Sequence, residues 1–457
     1  METHHHKRSA FSGKLGFVLS AAGASVGLGN IWRFPYLAAK YGGGIFLLIY
    51  IILAFTFGYT MIVAETALGR MTKKSPVGAF AAFGKGGGFA FGGWINAIIP
   101  ILIVPYYSVI GGWVIKYLVE YLRGGGSALA QDGYFSEFIS SGVSVELCFV
   151  VFTLFTLGII YAGVRNGVER VSKCMMPVLA VLSVIIAVYS VTRPGALAGV
   201  KYFLVPNLDN FSWMTVVSAM GQMFYSLSIA MGILITFGSY MKKDVSIEGS
   251  TTNVEIFDTA IAIMAGLMII PAVFAFSGGD PDTLQAGPAL MFITIPKVFD
   301  SMGMGTVVGV MFFLLVLFAA VTSSIALTES AVSTFEDELG WKRHKSTLLI
   351  GVIMLALGSL SALGYGPLAG VTVFGMQFLD LFDFLTNSVM MPIAAIATCL
   401  LVSRVVGVDK IEEEVTQNGG QFRRKAVFNF MIRYLCPLFA AIILVSSVAN
   451  ALGWIKM

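Results

Sequence analysis

The sequence predicts an all-α integral membrane protein with eleven transmembrane helices, folded as one body over 1–457. Three observations carry this. The 457 residues are 57% hydrophobic, with a mean hydropathy of +0.85. Only 12% are charged, about half of the roughly 25% in a soluble domain. The gaps between Asp, Glu, Lys and Arg include eleven charge-free windows of 18 residues or more, and roughly 20 apolar residues cross a bilayer as a helix. Disorder, nucleic-acid binding and a cytosolic enzyme fit this composition poorly. The net charge of +4 is too small to point to a polyanionic partner.

In chain order the windows are 15–32, 41–64, 86–115, 147–164, 174–192, 210–241, 259–279, 301–328, 346–379, 384–403 and 434–455. The first carries Gly23, Ser25, Gly27, Gly29 and Asn30 and ends against Arg33. The second ends at Glu65, and the third contains Tyr106-Tyr107. The fifth is reached through Gly167 and contains Pro177, a spacing that suits either a kinked helix or one that unwinds locally. The sixth holds Ser226, Ser228 and Gly232, the seventh begins after Asp258, and the eighth holds Thr322-Ser323-Ser324. The ninth window is longer than a span needs. Its GYGPLAG stretch at 364–370 reads as a loop, and the next span runs from near 369 through Asp380 and Asp383 to about 403.

Lys and Arg placement orients the spans. With the N-terminus inside, 21 of the 29 basic residues fall in inner loops, 7 fall outside, and Arg33 is left within a span. The N-terminal tail 1–12 is then cytoplasmic and Met457 extracytoplasmic, in a cell inner (plasma) membrane. No cleavable signal peptide is apparent, because the first apolar segment lacks a small-residue cleavage site. His4–His6 at a polar tail and the scattered Cys148, Cys174, Cys399 and Cys436 show neither zinc spacing nor a disulfide framework.

Function in a membrane chain concentrates where spans carry polar groups or broken backbone. Gly23 to Pro35 is ill suited to a continuous helix and suits an unwound segment facing a ligand. A Gly-rich helix contact is the plainer reading, but Asn30 and Arg33 are not needed for close packing. Span six repeats the theme five spans later, the spacing of two inverted five-helix halves (about 10–192 and 210–405, with an extra helix at about 427–455) whose broken helices meet at the midplane. Adjacent hydroxyls at 322–324 can bond one turn back, yet in this setting they look like hard oxygen ligands for an alkali cation. Arg33, Glu65, Asp258, Glu329, Asp380 and Asp383 are the charges at or near membrane depth.

VGLGNIWRFPY (26–36), GGGIFLLIY (42–50), GQMFYSLSIAMG (221–232) and FAAVTSSIALTE (318–329) resemble the neurotransmitter:sodium symporters, in particular their prokaryotic eleven-span amino acid members. The resemblance runs from about residue 8 to the last span. It implies five-plus-five inverted helices with helices one and six broken, sodium-driven symport of a membrane-embedded carrier and alternating access. It implies one sodium site from the carbonyls of Gly23, Val26 and Ala319 with the hydroxyls of Thr322 and Ser323. A second is implied from Ser25, Asn30, Ser226, a span-seven side chain and the substrate carboxylate. The span-seven position is Asp258, with Asn253 as an alternative; a carboxylate there makes chloride unnecessary.

For the substrate, the resemblance implies a carboxylate held by the backbone at Leu28 and Gly29 and by Tyr107, with Gly27 leaving the room that an Asp occupies in amine carriers. Ala24, Ile103, Tyr225, Ser226, Ser228, Met231, Ser323 and Leu327 would surround the rest. That mostly apolar set favours a neutral hydrophobic amino acid, aliphatic or aromatic. The implied gates are Arg33 with Asp383 outside and Arg8 with Asp337 inside, where Phe11 replaces the family's usual Trp and should plug less well. The expectation is a symporter with two sodium ions, no covalent chemistry, no chloride requirement and no nucleic-acid partner. An osmolyte or amine carrier, or a sodium-dependent amino acid sensor on the same fold, are the other readings.

Overall fold

The computed structural model describes residues 9–83, 87–279, 287–451 and 454. A chain in a bilayer must satisfy its backbone groups within each segment, and the apolar windows do so as helices. These are Lys14–Ser25 (α1), Gly29–Lys40 (α2), Gly44–Thr72 (α3), Pro76–Phe83 (α4), Gly87–Leu122 (α5), Gly142–Tyr161 (α6), Val164–Val191 (α7) and Ala196–Leu204 (α8). Trp213–Ser226 (α9), Ile233–Tyr240 (α10), Ile247–Ser277 (α11), Gly305–Leu339 (α12), Arg343–Leu363 (α13), Phe378–Val406 (α14), Val408–Thr416 (α15) and Lys425–Ala451 (α16) follow. Among the described residues there is no strand, only an isolated bridge between Val373 and Met376.

Nine of these helices are long and apolar enough to cross a membrane, and α1 with α2, bent by 55°, brings the number to ten. The expected span at 210–241 is divided into α9 and α10, of 14 and 8 residues, by residues 227–232. Neither piece reaches crossing length alone, so eleven continuous helices are not seen among the described residues.

Packing follows side-chain size. α5 lies along α12, α7 along α11, α6 along α13, α14 along α16, and α1 sits between α11 and α12. α10 presses against α3 because Gly69 has no side chain: a Cβ there would stand 1.9 Å from the Ile235 carbonyl oxygen. Helix ends are closed locally. Ser212 caps α9 by accepting from the Thr215 N–H at 3.1 Å, and Ser246 caps α11 by accepting from Gly249 at 3.1 Å. Leu154, Phe155, Val184, Val188 and Val445 stay exposed on α6, α7 and α16, the expected faces for lipid. The core sits where the two broken spans meet α5, α11 and α12.

Candidate functional site

α1 stops at Ser25 because Val26 turns extended (φ −73°, ψ 95°). The Gly27 N–H then donates to Asn30 Oδ1 at 3.3 Å instead of the Gly23 carbonyl, and the Leu28 N–H donates to the Tyr107 hydroxyl at 3.4 Å. The carbonyls of Gly23 and Ala24 are thereby released from the helix. In the second break Ser228, Ala230 and Gly232 are all left-handed, with φ of 53°, 58° and 70°. The two non-glycine residues each cost about 1–2 kcal/mol in that region. Two buried contacts offset this: the Ala230 N–H donates to Glu65 Oε1 at 2.7 Å, and Ser228 Oγ donates to the Ala24 carbonyl at 2.9 Å.

The released oxygens converge. Ser323 Oγ lies 3.2 Å from the Gly23 and Ala24 carbonyl oxygens and 3.3 Å from that of Val26. One hydroxyl has one proton to give, so two of the three carbonyls face that point with no donor from it. Oxygen clusters of this kind suit a hard cation. Thr322 instead turns its hydroxyl back to the carbonyls of Phe318 (2.9 Å) and Ala319 (3.2 Å) on its own helix.

Nearby, Asp258 is fully buried and accepts from Asn30 Nδ2 and Ser226 Oγ, both at 2.9 Å. Asn253 lies exposed on the same helix, so Asp258 is the residue that α11 delivers to the centre. The Ser25 hydroxyl donates to the carbonyls of Ala21 (3.1 Å) and Leu227 (3.4 Å), bridging the two breaks.

All the residues expected around a substrate line one central cavity: Ala24, Gly27, Leu28, Gly29, Ile103, Tyr107, Tyr225, Ser226, Ser228, Met231, Ser323 and Leu327, joined by Ser25 and Asn30. On one side lies a second cavity of about 500 Å³, lined by Arg33, Tyr106, Tyr225, Asp380, Asp383 and Asn387 among others. Arg33 and Asp383 share this cavity, but no ion pair joins them among the described residues. The Arg33 guanidinium lies over the Tyr225 ring, 5.3 Å from its centroid. Asp383 Oδ1 accepts from Tyr106 (3.2 Å) and Asn387 (2.6 Å).

The opposite end is packed shut. Phe11 is 1% exposed, its ring edge-on to Phe17, Phe237 and Tyr240 with centroids 5.5 to 6.0 Å away. Phe11 is thus enclosed by aromatic rings on three sides. Asp337 Oδ2 accepts from the Ser75 N–H at 2.6 Å; Arg8 lies outside the described residues.

Several contributors escape a reading of the sequence. Tyr50, the last residue of the quoted GGGIFLLIY, donates to Ser226 Oγ (3.1 Å) and Asp258 Oδ2 (3.3 Å). Gln222 Nε2 donates to the Gly29 carbonyl at 3.0 Å, steadying the first break. Glu329 is held by the Tyr240 hydroxyl at 2.8 Å and by Arg343, which also reaches the Ile160 carbonyl at 2.9 Å. The charge of Glu329 marked it as unusual; nothing in the sequence paired it with Arg343.

A model of the sodium:neurotransmitter symporter family matches residues 8–125 and 135–454. The chain belongs to this family. Like other symporters of the family it is a sodium-dependent membrane transporter and not an enzyme. It is 34% identical over 441 residues to the uncharacterized sodium-dependent transporter YhdH of Bacillus subtilis (strain 168), covering 95% of this chain and 96% of that one. It is 30% identical to an uncharacterized sodium-dependent transporter of Haemophilus influenzae, over 98% of this chain and 100% of the relative. The crystal structure of MhsT in complex with L-phenylalanine superposes with a TM-score of 0.86 at 34% identity, covering 96% of this chain and 100% of that one.

Proposed function

We propose that this symporter couples inward flow of two sodium ions to uptake of a neutral, hydrophobic L-amino acid, without chloride, by alternating access across the cell's inner membrane. The N-terminus is then cytoplasmic, the Arg33–Asp383 cavity is the outer vestibule, the Phe11 plug closes the inner side, and the C-terminus is outside. The observation that carries this reading is Asp258, a buried carboxylate bonded to Asn30 and Ser226, which themselves line the central cavity.

The chemistry follows from the donors present. The backbone near Leu28 and Gly29, at the start of α2, offers N–H groups and the positive end of a helix to a carboxylate, and the Tyr107 hydroxyl stands 3.4 Å from the Leu28 N–H. No acid fits at Gly27, beside these donors: a Cβ there would come 2.8 Å from Ser323 Oγ and 3.1 Å from the Tyr107 hydroxyl. Ile103, Met231 and Leu327 supply an apolar, adaptable wall for a side chain. L-phenylalanine in MhsT supports the same class of substrate.

The sodium ion at Ser25, Asn30, Ser226 and Asp258 would share the substrate carboxylate, which couples ion to solute. The other would sit among the carbonyls of Gly23, Val26 and Ala319 once Thr322 turns its hydroxyl inward beside Ser323. Asp258 supplies, beside the Asn30 and Ser226 ligands, a fixed negative charge of the kind that a bound chloride would otherwise bring. Binding shifts the population between outward-open and inward-open forms. The test is equilibrium binding of each of the twenty amino acids to purified protein in sodium or potassium, with chloride or gluconate. Binding of leucine- or phenylalanine-like ligands only in sodium, and equally in both anions, supports the reading. Binding in potassium contradicts it.

A further inference from the structure

The turn before α16 reaches across to two helices of the Asp258 site. Arg424, at its end, donates to both carboxylate oxygens of the buried Glu255, at 3.0 and 2.8 Å, and to the Thr252 hydroxyl at 2.8 Å, all on α11. On α3 it donates to the Phe55 carbonyl at 3.2 Å and lies over the Tyr59 ring, 3.5 Å from the centroid. Glu248 of α11 fixes the turn itself. It accepts from the N–H groups of Arg423 at 2.9 Å and Arg424 at 3.2 Å, and from the Tyr59 hydroxyl at 3.1 Å.

The same two helices carry the Asp258 site. Asp258 follows Glu255 by three residues on α11, one turn along the same face. Tyr50, which donates to Asp258 Oδ2 and Ser226 Oγ, stands on α3 ahead of Phe55 and Tyr59. Between Tyr50 and Tyr59 the helix widens into the π-turn Ala54–Gly58, so an α-helical ladder alone does not hold Tyr50 in register with the residues beyond it. A planar guanidinium on a carboxylate fixes direction as well as distance, and here the same guanidinium also touches the π-turn. Arg424 thus joins the helix that delivers Asp258 to the helix that delivers its phenol partner.

We propose that Arg424 is a positioning residue for sodium at Asp258. By tying α3 to α11 within a few turns of the site, it holds the Tyr50 hydroxyl and the Asp258 carboxylate at their spacing. The last span lends no described residue to the central cavity, yet it sets the sodium affinity through the turn before it. This rests on the sodium-symport reading for the identity of the ion.

Binding of radioactive sodium to the purified full-length protein tests this role. Arg424→Lys keeps the charge but loses the fork, and the double variant Glu255→Gln/Arg424→Gln removes the tie while stranding no charge. In both, the half-saturating sodium concentration should rise about tenfold, within the range of coupling inside one hydrogen-bond network. With Tyr50→Phe already present, there is no phenol hydroxyl to hold in place, and the further rise should be about threefold or less. Arg70→Lys is the control for lost stability alone. Arg70 is buried and pairs with Glu414 of α15 at 2.5 Å, at the far end of α3; its variant should lower thermal stability and leave sodium binding within about twofold. Half-saturation within about threefold of wild type in both Arg424 variants overturns the positioning role. So does an equal rise in Arg70→Lys, or an undiminished rise over Tyr50→Phe. Failure of the wild type to bind sodium overturns the symport reading, and this role with it.

Discussion

Replacing Asp258 with Asn keeps the shape of the side chain and removes a buried carboxylate held by Asn30 and Ser226, two residues of the cavity wall. Asp258 accepts from Asn30 Nδ2 (2.9 Å), Ser226 Oγ (2.9 Å) and the Tyr50 hydroxyl (3.3 Å). In Asp258→Asn one of those acceptors becomes an amide donor facing other donors. A cation about 4 Å from a carboxylate gains about 4 kcal/mol at an effective dielectric of about 20. The Asn carbonyl retains part of that, so the variant should lose about 2–3 kcal/mol of sodium binding. This is a roughly 30- to 150-fold rise in the sodium concentration for half-maximal uptake. Sodium titration of labelled amino acid uptake in proteoliposomes reads it directly. Uptake that remains should rise when chloride replaces gluconate, since an anion can now supply the missing charge. A sodium dependence within threefold of wild type, or remaining uptake indifferent to chloride, would refute the charge argument.

Other outcomes follow from single contacts. Tyr50→Phe removes a hydroxyl that bridges Ser226 and Asp258 and should weaken sodium activation about fivefold, the effect of a net loss near 1 kcal/mol; in the Asp258→Asn background it should have almost no further effect. Gly27→Ala places a methyl group 2.8 Å from Ser323 Oγ and should lower amino acid affinity at least about tenfold in scintillation proximity binding, the cost of overpacking by about 1–3 kcal/mol. Arg343→Ala strands the buried Glu329 carboxylate beside Tyr240. Breaking such a pair costs about 3–5 kcal/mol, so thermal stability in detergent should fall sharply, and the double variant Glu329→Gln/Arg343→Ala should recover part of it.

The centre of the molecule was legible in the sequence because polarity is expensive in a bilayer. Gly27, Gly29, Asn30, Ser226, Ser228 and Ser323 stand out from apolar runs, and all of them line the central cavity. Asp258 was the expected span-seven residue, with Asn253 as its alternative; α11 turns Asp258 inward and Asn253 out. Tyr50 and Tyr106 stayed hidden because an aromatic residue in a span looks like packing until its hydroxyl finds a partner. Arg33 and Asp383 share a cavity without pairing: Arg33 lies over Tyr225 and Asp383 is engaged by Tyr106 and Asn387, partners that residue types alone do not announce. Ala230 was unreadable for another reason: its left-handed backbone is held by Glu65, 165 residues away.

The central claim is tested most directly by uptake into proteoliposomes with an imposed inward sodium gradient and gluconate as the only anion. Concentrative uptake of a hydrophobic neutral amino acid that collapses when potassium replaces sodium is the predicted result. Uptake that persists without a sodium gradient, or none for any of the twenty amino acids in sodium, would contradict it.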